Sequence, residues 1–140
     1  MTLIVDASGI YAQVDRGEPA HDPVRDVLRS DAGPFVTSEL AVAQADHVVL
    51  TRFGVGVELA LVRDLIEVFD VQCLDRDELR TARDLIARYR DLEIGLADAS
   101  LVVLARRYGT RRILTLDERD FRAVRPLQGG AFTLLPADAE

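Results

Sequence analysis

Three aspartates, Asp6, Asp98 and Asp117, stand where a carboxylate is costly to keep. Asp6 closes the apolar run Leu3-Ile4-Val5, and Asp117 closes Ile113-Leu114-Thr115-Leu116. Asp98 interrupts the otherwise apolar stretch from Ile94 to Leu104. Ionised carboxylates are rarely left in such surroundings without a compensating positive charge. The chain has no lysine, so the compensator is an arginine or a metal ion. Three oxygen ligands brought to one end of a parallel sheet suit a hard divalent cation such as Mg²⁺. The chemistry so implied is metal-dependent attack on a phosphate ester.

Each aspartate also has a purely structural reading. Asp6 can N-cap a following helix, Asp98 can favour a helix dipole from a first turn, and Asp117 can open a turn through Asp120. Asp98 resists that reading most, because Leu101, Val102 and Ala105 share its helical face. Parallel strands deliver all three acids to the same carboxyl edge, which favours a joint site. Asp120, three residues past Asp117, is a supporting or substitute ligand, and Ser8 and Thr115 are hydroxyls placed to support the acids.

The elements that must position these groups are legible as alternating patterns. Apolar strand-like runs fall at 2–5, around 34–37, around 70–74, at 112–116 and at 131–135. Helical patterns occupy 8–15, 22–30, 39–52, 56–69, 77–90 and 96–108, with Gly54 and Gly109 as left-handed stops. Val57, Leu61, Leu65 and Val68 form one core-facing stripe, and Leu79, Ala82, Ile86 and Tyr89 another. The alternation predicts an α/β fold: one domain over 1–140, with a central, mainly parallel sheet of four or five strands flanked by helices. A chain of 140 residues with 49% hydrophobic content can build such a core.

Composition removes other classes. No basic, apolar leader and no run long enough to span a membrane is visible, so the expected location is cytoplasmic and no membrane partner is expected. Cys73 is the sole cysteine, which excludes an internal disulfide and a cysteine-built zinc site; it reads as a small core residue on a strand. The net charge is −7, yet residues 106–125 carry seven arginines against three acids, so that window is +4 and the remainder −11. A basic patch beside an acidic site suits a phosphate backbone. Arg112, Arg119 and Arg122 are the candidates for gripping it, since the guanidinium fork matches phosphate. Few aromatics are available for base stacking, which favours a structured RNA read by shape.

At the level of motifs the chain resembles a PIN-domain ribonuclease of the VapC toxin type. The resemblance rests on LIVDASGIYA at 3–12, AVAQADHVVLTRFG at 41–54 and GLADASLVVLARRYGTRRILTLDERDF at 95–121, in order along nearly the whole chain. It implies the toxin of a type II toxin–antitoxin pair: a Mg²⁺- or Mn²⁺-dependent endoribonuclease acting on tRNA or ribosomal RNA. It further implies 3′-hydroxyl and 5′-phosphate products, neutralisation by a cognate VapB-type antitoxin, and a homodimer. By matching positions, Asp6, Asp98 and Asp117 are three of the four acidic residues of such a site, with Asp6, Asp98 and Asp117 as metal ligands.

The fourth position departs from that pattern. Where an Ala-Glu-x-Asp segment is usual, this chain has Ala43-Gln44-Ala45-Asp46. An amide keeps a ligating oxygen but removes a negative charge and cannot act as a general base. Asp46 faces away from Gln44 around the helix; His47 is nearer and reads as packing. The alternative function is therefore a catalytically impaired PIN fold that binds RNA or an antitoxin. Receiver domains and dehalogenase-type phosphatases are set aside because both need a late lysine. Val48, Val49, Leu50, Phe53, Val55 and Val57 crowd the turn between two helices and read as either a tight interior corner or part of an antitoxin or dimer groove.

Overall fold

The computed structural model describes residues 1–139. Five strands, β1 (Leu3–Val5), β2 (Phe35–Ser38), β3 (Phe69–Gln72), β4 (Arg112–Leu114) and β5 (Thr133–Leu135), form one sheet. Its order is β3-β2-β1-β4-β5, and every neighbouring pair is parallel. Among the described residues seven α-helices connect and cover it: α1 (Ala7–Ala12), α2 (His21–Ser30), α3 (Glu39–Phe53), α4 (Val55–Glu67), α5 (Arg76–Arg88), α6 (Leu96–Arg107) and α7 (Glu118–Ala123). The sheet expected from the alternation is thus present with five strands, wholly parallel.

Strand order reverses between β1 and β4, which opens a crevice at their carboxyl ends. β1 is buried along its length, as the central strand of a sheet covered on both faces must be. The apolar stretch around Asp98 becomes α6, whose residues from Ala99 to Ala105 are all buried, so this helix packs on several sides at once. Ser100 ties it to the chain entering α3: its Oγ lies 2.7 Å from Ser38 Oγ, and Ser38 in turn caps α3 by accepting from the Ala41 N–H. Gly9 lets α1 sit directly on the sheet, since a Cβ there would lie 2.9 Å from the Leu114 carbonyl oxygen. Gly54, at φ 84°, makes the sharp reversal between α3 and α4.

Several local expectations are corrected. The segment after Asp117 is not a simple turn: Asp117 accepts from the Asp120 N–H and nucleates α7. Cys73 is exposed just past β3 and takes no part in the core. On α5 Ala82 is buried and Ile86 and Tyr89 pack against the core, joined by buried Leu85, while Leu79, in the first turn after the Asp75–Glu78 capping box, is 43% exposed. On α4, Leu61 and Leu65 are buried but Val68 is 46% exposed, because the helix ends at Glu67 and the chain turns into β3. No described helix is long and apolar enough to cross a membrane.

Candidate active site

The register Ile4↔Ile113 and Val5↔Leu114 places Asp6 beside Thr115 where the two strands end. Asp6 is 4% exposed, and three donors hold its carboxylate. The Ala7 N–H donates to Oδ1 at 2.7 Å; the Ser8 and Thr115 hydroxyls donate to Oδ2 at 2.9 and 2.7 Å. Ser8 Oγ also accepts from the Leu116 N–H, and Thr115 Oγ1 accepts from the Asp117 N–H, so the same two hydroxyls shape the loop that carries Asp117. Burial raises the Asp6 pKa; the three hydrogen bonds pull it down, and Asp117 adds to the rise. Asp6 thus caps α1 and faces the crevice at once.

Asp98 arrives from the other direction, on the first turn of α6, and is half-buried. Burial pushes its pKa up to about 7, with Asp6, Asp117 and Asp120 adding repulsion. Carboxylate oxygens of Asp98, Asp117 and Asp120 lie within 4.8 Å of one another. Burial and the Asp117 carboxylate raise Asp120 as well. Asp6, Asp98 and Asp117 all line one cavity of about 220 Å³, together with Ser8, Tyr11, Gln44 and Val48. The structure therefore brings the sequence-picked acids, Ser8 and Gln44 into one place, with Thr115 behind Asp6 and Asp120 against Asp117. The crowding of like charges and the all-oxygen donor set fit a hard divalent cation.

Tyr11 was missed by sequence reasoning, and Val48 was read only as part of the crowded turn between α3 and α4. Val48 is one turn after Gln44 and shares its face, a usable signal; Tyr11 had none beyond lying close after Asp6. Asp46 does not reach the cavity: it sits against Glu58 of α4 and raises that carboxyl. His47 is exposed rather than packed.

The arginine expectations fare unevenly. Arg112 opens β4, so it lies at the amino edge of the sheet, away from the acids; it pairs with Asp31 and donates to the Met1 carbonyl. In this position it acts as a structural tie, because in a parallel sheet the two ends of one strand serve opposite edges. Arg122 is committed to Asp138 at 2.5 Å and to Glu118 at 3.3 Å. Arg119 is exposed beside Asp120 and, among the described residues, forms no ion pair.

Comparison with known proteins completes the picture. The model of the PIN domain family matches residues 3–126, a span that includes Asp6, Asp98, Asp117 and Asp120. The chain belongs to the PIN domain family. Its sequence is 43% identical over 135 residues to Ribonuclease VapC26 of Mycobacterium tuberculosis (strain ATCC 25618 / H37Rv), covering 96% of this chain and 100% of that one. The fold is similar to the crystal structure of M. tuberculosis VapC20, described as a sarcin-ricin loop cleaving toxin, with TM-score 0.78, 19% identity and coverage of 84% and 92%. It is also similar to DNA-bound VapBC from Salmonella typhimurium, with TM-score 0.68, 14% identity and coverage of 96% and 98%. This PIN domain carries its acids at the crevice where the strand order reverses, with Gln44 on the wall of the same cavity.

Proposed function

We propose that this chain is the toxin of a type II toxin–antitoxin pair, acting as a divalent-metal-dependent endoribonuclease on structured RNA, tRNA or rRNA. The observation that carries this reading is the set of Asp98, Asp117 and Asp120 oxygens within 4.8 Å, beside Asp6. Its 43% identical relative is named a ribonuclease, which supports the same chemistry. Asp98 and Asp117 would hold a Mg²⁺ or Mn²⁺ ion, with Asp6 and Asp120 adjoining. When bound, the ion supplies charge neutralisation and Lewis acidity toward the scissile phosphodiester.

The chain's own groups do the rest. Asp6, fixed by three donors, sets the floor of the site, and Ser8 and Thr115 keep its carboxylate and the Asp117 loop in register. Burial, chiefly, and the Asp6 charge raise the Tyr11 phenol, so it stays protonated and presents an O–H donor at the cavity wall. Gln44 contributes a neutral amide where a carboxylate would add charge. Products are a 3′-hydroxyl and a 5′-phosphate.

The partner is a VapB-type antitoxin, in keeping with toxin–antitoxin complexes among the similar folds. Leu50, Phe53 and Val55 at the α3–α4 turn, 40–59% exposed, and Leu59, Val62 and Ile66 along α4, 41–78% exposed, offer apolar surface for it and for a homodimer. Gln44 on the cavity wall favours one second reading, a PIN fold with impaired catalysis that retains binding. Incubating the antitoxin-free protein with total bacterial RNA in Mg²⁺ or Mn²⁺, beside Asp98→Ala, separates the two. Discrete new ends that vanish with chelator and in the variant support the nuclease. Intact RNA from a folded protein in both metals supports the binding module.

A further inference from the structure

The segments that wall the carboxylate cavity lead directly to a second, larger one. Tyr11 and Val48 line the first; Gln13 and Phe53, two and five residues further on, line the next, of about 550 Å³ between the α1–α2 connection and α4. A smaller cavity of about 220 Å³ adjoins it, sharing Gln13, Arg25 and Asp64. Arg16, Arg25 and Arg63 line the larger space and Arg29 the smaller. Of the two acids present, Asp15 is occupied by the Gly17 N–H, and Asp64 reaches Arg63 at only 4.0 Å. Among the described residues Arg16, Arg25 and Arg29 have no hydrogen-bonded or ion-pair partner, in contrast to Arg107, Arg112 and Arg122. Gln13 Nε2 is buried with no acceptor among the described residues. A buried donor left without an acceptor is costly, and a ligand oxygen would satisfy it.

Arg52 stands on α3 between Val48, which lines the first space, and Phe53, which lines the larger one. It follows Gln44 and Val48 at successive intervals of four on α3, so it shares their face, and it is exposed. After burial and Asp6, its charge is the next influence on the Tyr11 phenol, which sets it close to the catalytic cavity.

We propose that this cleft is the track for the RNA backbone flanking the scissile phosphate, with Arg16, Arg25 and Arg52 gripping phosphodiesters; the proposal rests on the nuclease reading above. The chain segments that wall the cleft through Gln13 and Phe53 also wall, through Tyr11 and Val48, the carboxylate cavity that a scissile phosphate has to enter, and an RNA backbone offers a phosphate at every step to the unpaired arginines. The phosphate grip thereby moves from the 106–125 segment, where most arginines are occupied, to the opposite wall of the site.

The test uses fluorescence anisotropy of a labelled RNA hairpin with Mn²⁺ in an Asp98→Asn background, which binds without cutting. The Arg16→Gln/Arg25→Gln/Arg52→Gln triple variant is compared with Arg80→Gln/Arg83→Gln on α5 across a salt series. Affinity is expected to fall about tenfold or more in the triple variant, with the salt slope reduced by about 3. Each single variant should lower the slope by about 1, and the α5 control should change neither. Thermal melting verifies folding; the single variants carry the test should the triple be unstable. Unchanged affinity and slope overturn the proposal, as does failure of the parent to bind RNA. Unchanged RNA binding with lost capture of an acidic peptide overturns it in favour of a protein groove. Cleavage by the protein with Asp98 restored is scored separately. Intact RNA alongside weakened binding in the triple variant sinks the nuclease reading and spares the cleft; cleavage and binding both unaffected in the triple sink only the cleft.

Discussion

Asp6 and Asp98 face the same cavity and are held in opposite ways. Asp6 ends a central strand, is almost fully buried and accepts three hydrogen bonds. Asp98 projects from a helix's first turn among three other carboxylates, with its pKa pushed to about 7. The floor of the site is built by satisfied hydrogen bonds, while the rim is built by crowded charges that a cation would relieve. Loss of a floor residue should therefore cost stability as well as activity. Loss of a rim residue should cost activity alone.

The largest effect is expected from Asp98→Asn. RNA cleavage should drop more than about 100-fold, beyond what an outer ligand partner is worth, while the metal-free protein melts at the same or a higher temperature. A lower melting temperature would erase the distinction between rim and floor. Asp6→Ala should also abolish cleavage, but by leaving the Ser8 and Thr115 hydroxyls and the Ala7 N–H without their acceptor. Chemical denaturation should register a loss of about 1–3 kcal/mol.

The pH response sharpens the contrast. Asp98 binds its proton more tightly folded than unfolded, so between its ordinary value and about 7 the folded state carries the extra proton. Stability of the metal-free protein should consequently fall as pH rises from 4.5 to 7, and Asp98→Asn should flatten that slope. A rise over the same interval, measured by thermal melting in chelator, would contradict the assigned crowding. The smallest change is expected from Gln44→Glu. One more negative charge on the cavity wall should tighten Mn²⁺ binding several-fold by calorimetry and lower metal-free stability slightly. Unaltered Mn²⁺ affinity would show that position 44 does not feel the ion.

Legibility differed between elements for physical reasons. β1, β4 and α6 were readable because short apolar runs bounded by Asp6, Asp98 and Asp117 are both core and signal. α7 was not, since Asp117 as turn opener and Asp117 as helix cap look alike until the Asp120 N–H has been placed. The stripes of α4 and α5 face the core except at Val68 and Leu79, because periodicity gives a stripe, while the helix start and the chain's exit decide which end of it is covered.

The arginines mark where sequence reading stops. Clustering in 106–125 was a fact of the sequence, but Arg112 lies at the wrong edge and Arg122 is paired with Asp138, which stands 16 residues away. Arg52 and Arg25, far apart along the chain, meet the site's surroundings only through folding. The sequence alone determined the α/β class, through its alternating apolar patterns, and singled out the acids that are expensive to bury. Tertiary structure alone decided how burial and neighbouring charge fall on each of them and which cations stay unpaired. Those depend on distance and burial between groups remote in sequence, and electrostatic energy follows distance in space, not separation along the chain.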